Sequence, residues 1–130
     1  MADGTGLHEP ADQMDPTTID RHRALRSVME ELEAVDWYGQ RVDATSDPTL
    51  AAVLAHNRDE EKEHAAMVIE WLRRNDPTFA RHLRTYLFTE DPITEIEAEV
   101  EGGAEAAAGL DGAASGSLGI GSLRGDGGRR

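Results

Sequence analysis

Two short segments of this chain carry side chains that bind transition metals. Glu31 lies in an acidic stretch, and Glu61-Lys62-Glu63-His64 supplies a carboxylate and an imidazole three positions apart. Residues three apart in an α-helix project from one face, one turn from each other. Carboxylate with imidazole suits iron, manganese or zinc. The chain has no cysteine, which excludes thiolate ligands and disulfides.

Helix-start signals divide the region around these segments into predicted helices. An aspartate followed by proline, which favours the N-cap and first helical positions, recurs at Asp15-Pro16, Asp47-Pro48, Asp76-Pro77 and Asp91-Pro92. The predicted helices cover residues 16 to about 42, 48 to about 75, a shorter third segment from 77, and a last turn or two through Val100. No strand pattern or internal repeat is evident, so the fold class is all-α.

The predicted ligands lie in the middle of apolar stripes on the two long helices. The first helix has Ala24, Val28, Glu31, Val35 and Tyr38 on one stripe, and the second has Leu54, Asn57, Glu61, His64, Val68 and Trp71. Burying a carboxylate in such a seam costs several kcal/mol unless its charge is compensated. A divalent metal is the simplest compensation. The alternatives are a buried ion pair for Glu31 and an incidental exposed pair for Glu61 and His64.

One Glu and one Glu-x-x-His make half of a di-iron or di-manganese carboxylate site, which takes two of each from four helices. The first two helices form a hairpin with a short connection, and a hairpin buries only one face of each helix. The sequence therefore predicts a helical hairpin that is half of a ferritin-like four-helix bundle. Homodimerisation would complete it, with the metal pair at the seam.

Further polar and aromatic residues lie beside this stripe. Glu30 and Glu33 share another stripe with Arg26 and Trp37, which is either a solvated helix face or a weaker cation site near Glu31. Tyr38 is either a hydrogen-bond donor or redox-active neighbour of the site, or an ordinary core or interface aromatic.

The net charge of the chain limits the classes of partner that it can bind. The formal net charge is −13, and residues 1–101 carry it all because the later residues hold equal numbers of acids and bases. Such a chain is unsuited to nucleic acid. It attracts cations, or its charge merely maintains solubility. Neither a signal peptide nor a transmembrane segment is evident, so we expect no membrane association and a cytoplasmic location.

The composition predicts four regions. Residues 1–14 are polar and predicted to be a disordered arm, and residues 15–101 form the helical hairpin domain with its C-terminal helices. Residues 102–116 are rich in Gly, Ala and Ser, which predicts a flexible linker. Residues 117–130 form a predicted targeting region within a disordered tail.

The segments 29–38 (MEELEAVDWY) and 56–65 (HNRDEEKEHA) resemble the encapsulated ferritins, ferroxidases housed in encapsulin nanocompartments, and the similarity covers about residues 17–100. The resemblance implies hairpin dimers with a di-iron centre at their interface, assembled as a ring-shaped homodecamer. It implies that Glu31, Glu61 and His64 are the ferroxidase ligands, with Glu31 bridging across the dimer. It also assigns Glu30 and Glu33 to a metal-uptake site, with Trp37 and Tyr38 as neighbouring aromatics.

The C-terminal segment 117–124 (SLGIGSLR) resembles the peptides by which encapsulin shells capture cargo. An extended peptide could place Leu118 and Ile120 in one groove and Leu123 in a second pocket. The residues after Arg124 depart from that pattern.

Together these features predict a ferroxidase that oxidises Fe(II) with dioxygen and delivers Fe(III) to the lumen of an encapsulin compartment. Two alternatives remain at this stage. One is a structural protein whose dimer is joined by metal without redox turnover. The other is a helical adaptor that dimerises through the seam and recruits a partner through its tail.

Overall fold

The computed structural model describes residues 6–114, with side chains to residue 105, and every regular element in this range is helical. A 3₁₀ turn at Ala11–Gln13 precedes four α-helices. These are α1 (Pro16–Ala44), α2 (Pro48–Asn75), α3 (Pro77–Tyr86) and α4 (Ile93–Ala114). The all-α prediction and the helical hairpin are confirmed. Within the described range, no helix combines the length and apolarity needed to span a membrane.

The aspartate and proline signals act at the starts of the helices. Pro48 begins α2, and the side chain of Asp47 accepts hydrogen bonds from the amides of Thr49 and Leu50 at 2.9 and 3.3 Å. Asp76 likewise accepts from the amide of Phe79 at 3.0 Å, in the first turn of α3. Asp15 occupies the N-cap of α1, but its side chain makes no capping hydrogen bond. The amides freed at a helix start are therefore capped by side chains at α2 and α3.

Helices α1 and α2 pack along their lengths as an antiparallel hairpin, with residues 45–47 between them. Among the side chains described, the buried apolar ones are Ala65, Leu72, Ala80 and Ile96. None of these lies on α1. Large apolar side chains remain exposed on both long helices, among them Leu25, Met29, Leu32, Val53, Met67 and Trp71. A hairpin alone has no second layer to cover them, which is the expected behaviour of half a bundle.

The chain divides into two compact units between Arg84 and Thr85. The second unit contains α4, which is 22 residues long and continues through Gly102 and Gly103 to Ala114. The composition of residues 102–116 predicts a linker, yet the backbone is helical to residue 114. Alanine has the highest helix propensity, and the alanines of this segment offset the cost of its four glycines at about 1 kcal/mol each. Whether this segment serves as a linker stays a prediction.

The remaining segments lie partly outside the described residues. Of the arm predicted for residues 1–14, residues 6–14 are described, and they contain the 3₁₀ turn.

In the second unit, Phe88 lies between α3 and α4 and is fully exposed. Its φ of 59° is in the left-handed region, which non-glycine residues adopt mainly in tight turns.

Candidate metal centre

Glu31 and Glu61 face each other from the middle of the two hairpin helices. Glu31 lies on α1 and Glu61 on α2, and their side chains are 27% and 23% exposed. The five residues of the predicted α1 stripe, from Ala24 to Tyr38, are all half-buried, so they share one partly covered face of the helix. Neither carboxyl is fully buried in the single chain. The hairpin covers most of each side chain and leaves about a quarter of it open to solvent.

His64 is the most exposed of the three predicted ligands. Its side chain is 49% exposed, and its Nδ1 lies 3.5 Å from Oε2 of Glu61 and 3.9 Å from Oε2 of Glu31. The three side chains each offer one ligand atom, and these atoms all lie within 4.8 Å of one another. The hairpin thus brings a residue of α1 into one cluster with the Glu-x-x-His of α2.

The surroundings of Glu31 in the cluster raise the pKa of its carboxyl. A hydrogen bond with the carboxyl of Glu61 is the largest cause that raises the pKa of Glu31 above its ordinary value. Partial burial and the negative charges of Glu61 and Glu30 raise this pKa further, while the imidazole of His64 lowers it. A carboxyl whose pKa is raised by neighbouring carboxyls is typical of a site where negative charge is concentrated without enough compensation.

The donor set fits a divalent or trivalent transition metal. Two carboxylates and a neutral imidazole are ligands for iron, manganese or zinc. The charges that shift the pKa of Glu31 are those of the Glu61 and Glu30 carboxyls and the His64 imidazole, which differs from the arginine partner that a buried ion pair would supply. Three ligands from one chain leave coordination positions unfilled, so the cluster is open to further ligands or to a second metal.

The other predicted residues lie outside this cluster. Glu30 and Glu33 are exposed on a neighbouring stripe of α1. Trp37 is 50% exposed, and together with Gln40 and Arg41 it lines a shallow depression of about 300 Å³. The guanidinium carbon of Arg41 lies over the ring of Tyr38, 5.5 Å from the ring centroid and within cation–π range. Leu118, Ile120 and Leu123 lie outside the described residues.

One interaction of the hairpin has no counterpart in the sequence patterns. The guanidinium of Arg21 on α1 donates from Nε and Nη2 to the main-chain carbonyl of Asn75, at 3.1 and 2.7 Å. Asn75 is the last residue of α2. The partners are 54 positions apart, and the acceptor is a backbone atom, so neither spacing nor residue type could have indicated the pair.

Comparison with known proteins places this fold in a defined class. The architecture is that of a ferritin-like helical hairpin with a carboxylate and histidine cluster. Residues 6–90 match the EncFtn-like family model, and the chain belongs to the EncFtn-like family. This confirms the resemblance to encapsulated ferritins that segments 29–38 and 56–65 indicate.

Three similar proteins illustrate the relationship. The Encapsulated ferritin-like protein of Rhodospirillum rubrum is 66% identical over 124 residues, which cover 92% of this chain and 88% of the relative. The Encapsulin nanocompartment cargo protein EncC of Myxococcus xanthus is 39% identical over 69 residues, about half of each chain. The crystal structure of protein ne0167 from Nitrosomonas europaea superposes with a TM-score of 0.66 at 59% identity, covering 68% of this chain and 97% of that one.

Proposed function

We propose that this protein is a ferroxidase that oxidises Fe(II) to Fe(III) with dioxygen at a di-iron centre shared between two copies of the chain. The observation that carries the proposal is the cluster of Glu31, Glu61 and His64, whose ligand atoms lie within 4.8 Å of one another. Membership of a ferritin-like family supports iron as the metal. Fe(II) is the substrate of the reaction, and its two ions would be bound side by side before dioxygen accepts their electrons.

The need for two copies follows from the number of ligands. Each chain contributes two carboxylates and one imidazole, and a di-iron carboxylate site takes four and two. The open side of the cluster supports this arrangement, because His64 is half exposed and Met67, one turn further along α2, is 64% exposed. A second copy would cover these side chains and supply the missing ligands. Glu31 would bridge the two ions across the dimer.

The assembly beyond the dimer is proposed from the family resemblance. Five such dimers would form a ring-shaped homodecamer. Leu25, Met29 and Leu32 recur at helical spacing on α1 and are about half exposed, so they offer an apolar surface for contacts between copies. A ring of hairpin dimers encloses no large cavity, and the Fe(III) product would accordingly be stored elsewhere.

The acidic residues beside the site would collect the substrate. Glu30 and Glu33 are exposed one position before and two positions after Glu31, within a chain of net charge −13. Such a field raises the local concentration of Fe(II). We assign Glu30 and Glu33 to a metal-uptake site, with Trp37 and Tyr38 as the aromatic side chains that border it.

The side chains of the centre have distinct roles in this proposal. Glu31 and Glu61 bind the substrate as carboxylates, so a proton held by Glu31, whose pKa is raised, is released when metal enters. His64 binds through a neutral imidazole nitrogen. The carboxylates offset the charge that the iron gains on oxidation, which favours Fe(III) over Fe(II) and lowers the barrier to electron loss.

The location that we propose is the lumen of an encapsulin nanocompartment in the cytoplasm. Two relatives carry names that describe them as encapsulated or as encapsulin cargo. The segment 117–124 would bind the shell protein, with Leu118, Ile120 and Leu123 as the apolar contacts. Fe(III) released in the lumen would then be stored there.

A second candidate function is a structural protein in which metal joins the dimer without turnover. The observation that favours it is the incomplete ligand set of one chain, since a metal at this place would link two copies whether or not it is oxidised. In that case Glu31→Ala would abolish assembly, and the intact oligomer would consume no oxygen with Fe(II).

The deciding experiment adds Fe(II) under air to the purified oligomer and follows Fe(III) absorbance and oxygen uptake together. Wild type is compared with Glu31→Ala, Glu61→Ala and His64→Ala, and the mass of each is measured alongside. Asp59→Ala is a control, because Asp59 is an exposed carboxylate on α2 that pairs with Arg58 and Lys62. We expect oxidation to fall at least about tenfold in the three ligand variants and not in the control. Oxidation by wild type at the rate of buffer would refute the enzyme.

A further inference from the structure

We propose that Arg21 is a positioning residue that fixes the register of α1 against α2, and so holds Glu31 at the correct distance from Glu61 and His64. This inference rests on the proposed metal centre. The carrying observation is the pair of hydrogen bonds from Nε and Nη2 of Arg21 to the carbonyl of Asn75, at 3.1 and 2.7 Å. They join the open end of the hairpin, where α1 begins and α2 ends.

The register of the hairpin needs such a device because its apolar packing is sparse. In the first unit, the buried side chains of the two long helices are Ala65 and Leu72, both on α2. No described side chain of α1 is fully buried. A small, smooth apolar interface tolerates sliding, since interlocking side chains are what distinguish one register from the next. Packing within one chain therefore leaves the axial position of α1 weakly determined.

The cluster tolerates little sliding. A shift by one residue moves a helical side chain by about 1.5 Å along the axis. Metal–ligand distances must be met within about 0.2 Å. Because Glu31 is the α1 contribution while Glu61 and His64 come from α2, any slip separates the two parts of the ligand set. If the helices slid, Glu61 and His64 would keep their spacing because both lie on α2, but their distances to Glu31 on α1 would change.

The two ends of the hairpin are held in different ways, with the cluster between them. At the closed end, residues 45–47 are too few to allow much slip, and Asp47 caps α2. At the open end, Arg21 lies ten positions before Glu31, and Asn75 lies eleven after His64. The cluster is thus almost three helical turns from this contact. Because a helix is stiff along its axis, contacts at both ends of the hairpin also determine the axial position of the cluster between them.

The acceptor of this contact is itself held in place. The side chain of Asn75 donates to the carbonyl of Trp71 at 2.8 Å, within the last turn of α2. The next residue, Asp76, caps α3 through the amide of Phe79. The carbonyl that Arg21 binds is one of those left free at a helix C-terminus, where a positive charge is also favoured by the helix dipole. Arg21 therefore binds a carbonyl at the α2–α3 junction, where side-chain hydrogen bonds hold the backbone in place.

The test compares Arg21→Gln with Arg23→Gln, a matched control. Arg23 is two positions along the same helix and has a 73% exposed side chain. Among the residues that the structure describes, this side chain bonds to Asp20 of α1, at 2.8 Å. Both changes remove one positive charge. Cobalt(II), whose visible spectrum reports coordination geometry, serves as the probe, and far-UV circular dichroism checks that the helices are retained. Arg21→Lys, which keeps the charge with a single donor group, tests rescue.

We expect the dissociation constant for cobalt(II) to rise about tenfold in Arg21→Gln, with an altered spectrum, because the ligand set no longer converges. Arg23→Gln should match wild type, and Arg21→Lys should recover part of the affinity. A purely structural role would lower thermal stability without changing the spectrum of the bound ion. An Arg21→Gln protein with the affinity and spectrum of Arg23→Gln would overturn the inference.

A metal-free measurement separates this inference from the proposed function. In the metal-free chain, nuclear Overhauser contacts between the ring protons of His64 and the side chain of Glu31 report the register directly. We expect them in wild type and Arg23→Gln, and expect their loss in Arg21→Gln. If wild type bound no cobalt(II), the proposed metal centre would be refuted. The nuclear Overhauser contacts would still test whether Arg21 fixes the register. Contacts that persist in Arg21→Gln would count against that role.

Discussion

The carboxyl group of Glu31 on α1 faces that of Glu61 on α2 across the hairpin, and this contact raises the pKa of Glu31. Because its pKa is raised, Glu31 takes up a proton at a higher pH than an ordinary glutamate does, at the place where the proposed iron would bind. Proton and metal compete for the same oxygens, and this competition makes binding depend on pH.

The first prediction concerns the pH dependence of metal binding. Because the pKa of Glu31 is raised, its carboxyl takes up a proton at a higher pH than an ordinary glutamate would, and metal affinity is lost as pH falls through that raised value. Cobalt(II) titrations from about neutrality to about pH 5 should show a falling affinity accompanied by proton release on binding. A pH-independent affinity across this window would contradict the raised pKa of Glu31.

The second prediction concerns the stability of the metal-free and metal-bound chain. Glu31→Gln removes a carboxylate that is repelled by Glu61, so the thermal midpoint of the metal-free chain at neutral pH should be unchanged or higher. The sign follows from the raised pKa, since a group that is harder to ionise when folded disfavours folding above its ordinary pKa and ceases to do so as pH falls.

Metal should reverse this order. Wild type with cobalt(II) at a hundredfold excess over the dissociation constant should gain about 2.7 kcal/mol in the free energy of unfolding. Glu31→Gln should gain much less. Calorimetric scans of both proteins with and without the ion measure the difference. Equal stabilisation of the two proteins by metal would place the ion elsewhere on the chain.

The third prediction concerns the small core of the hairpin. Leu72 on α2 is 2% exposed, and truncating it leaves a cavity that its neighbours fill only partly. Leu72→Ala should lower the free energy of unfolding by about 2–4 kcal/mol. Leu50→Ala, on the same helix at a position that is 46% exposed, is the control and should cost about 1 kcal/mol or less. Urea denaturation of the metal-free chain gives both values. Similar losses at the two positions would mean that Leu72 is not part of a core.

The fourth prediction separates two aspartates that look alike in the sequence. Asp47 bonds two amides at the start of α2, while the side chain of Asp15 at the start of α1 makes no capping bond. Asp47→Ala should therefore cost about 1 kcal/mol in the free energy of unfolding, and Asp15→Ala only a few tenths. Both variants lose one negative charge before a proline, which makes them a matched pair. An equal cost at both positions would show that the charge, rather than the hydrogen bonds, matters.

The same pair of aspartates shows how far local sequence reaches. Asp15-Pro16, Asp47-Pro48 and Asp76-Pro77 predicted the starts of α1, α2 and α3 at the residues where the helices begin. The reason is that proline fixes its own φ and lacks an amide hydrogen, so its preference is independent of tertiary contacts. Whether the preceding side chain caps the helix depends on its rotamer, which the sequence did not specify.

Local spacing also determined which ligands share a face. Glu61 and His64 had to lie one turn apart on α2, because a helix has a fixed period. That Glu31 was one partner of this pair could be argued only from its place in an apolar stripe. Its approach to 3.9 Å from His64, and the raised pKa that results from its contact with Glu61, depend on how two helices pack.

Only the tertiary structure joined Arg21 to Asn75, two residues separated by 54 positions in the sequence. The acceptor is a backbone carbonyl that any residue would carry, and the donor is one of several arginines in an acidic chain. Short-range preferences therefore determined the helices, their first residues and the two-residue motif of α2. The register between helices, and with it the geometry of the metal centre, was decided by long-range contacts whose partners leave no periodic pattern in the sequence.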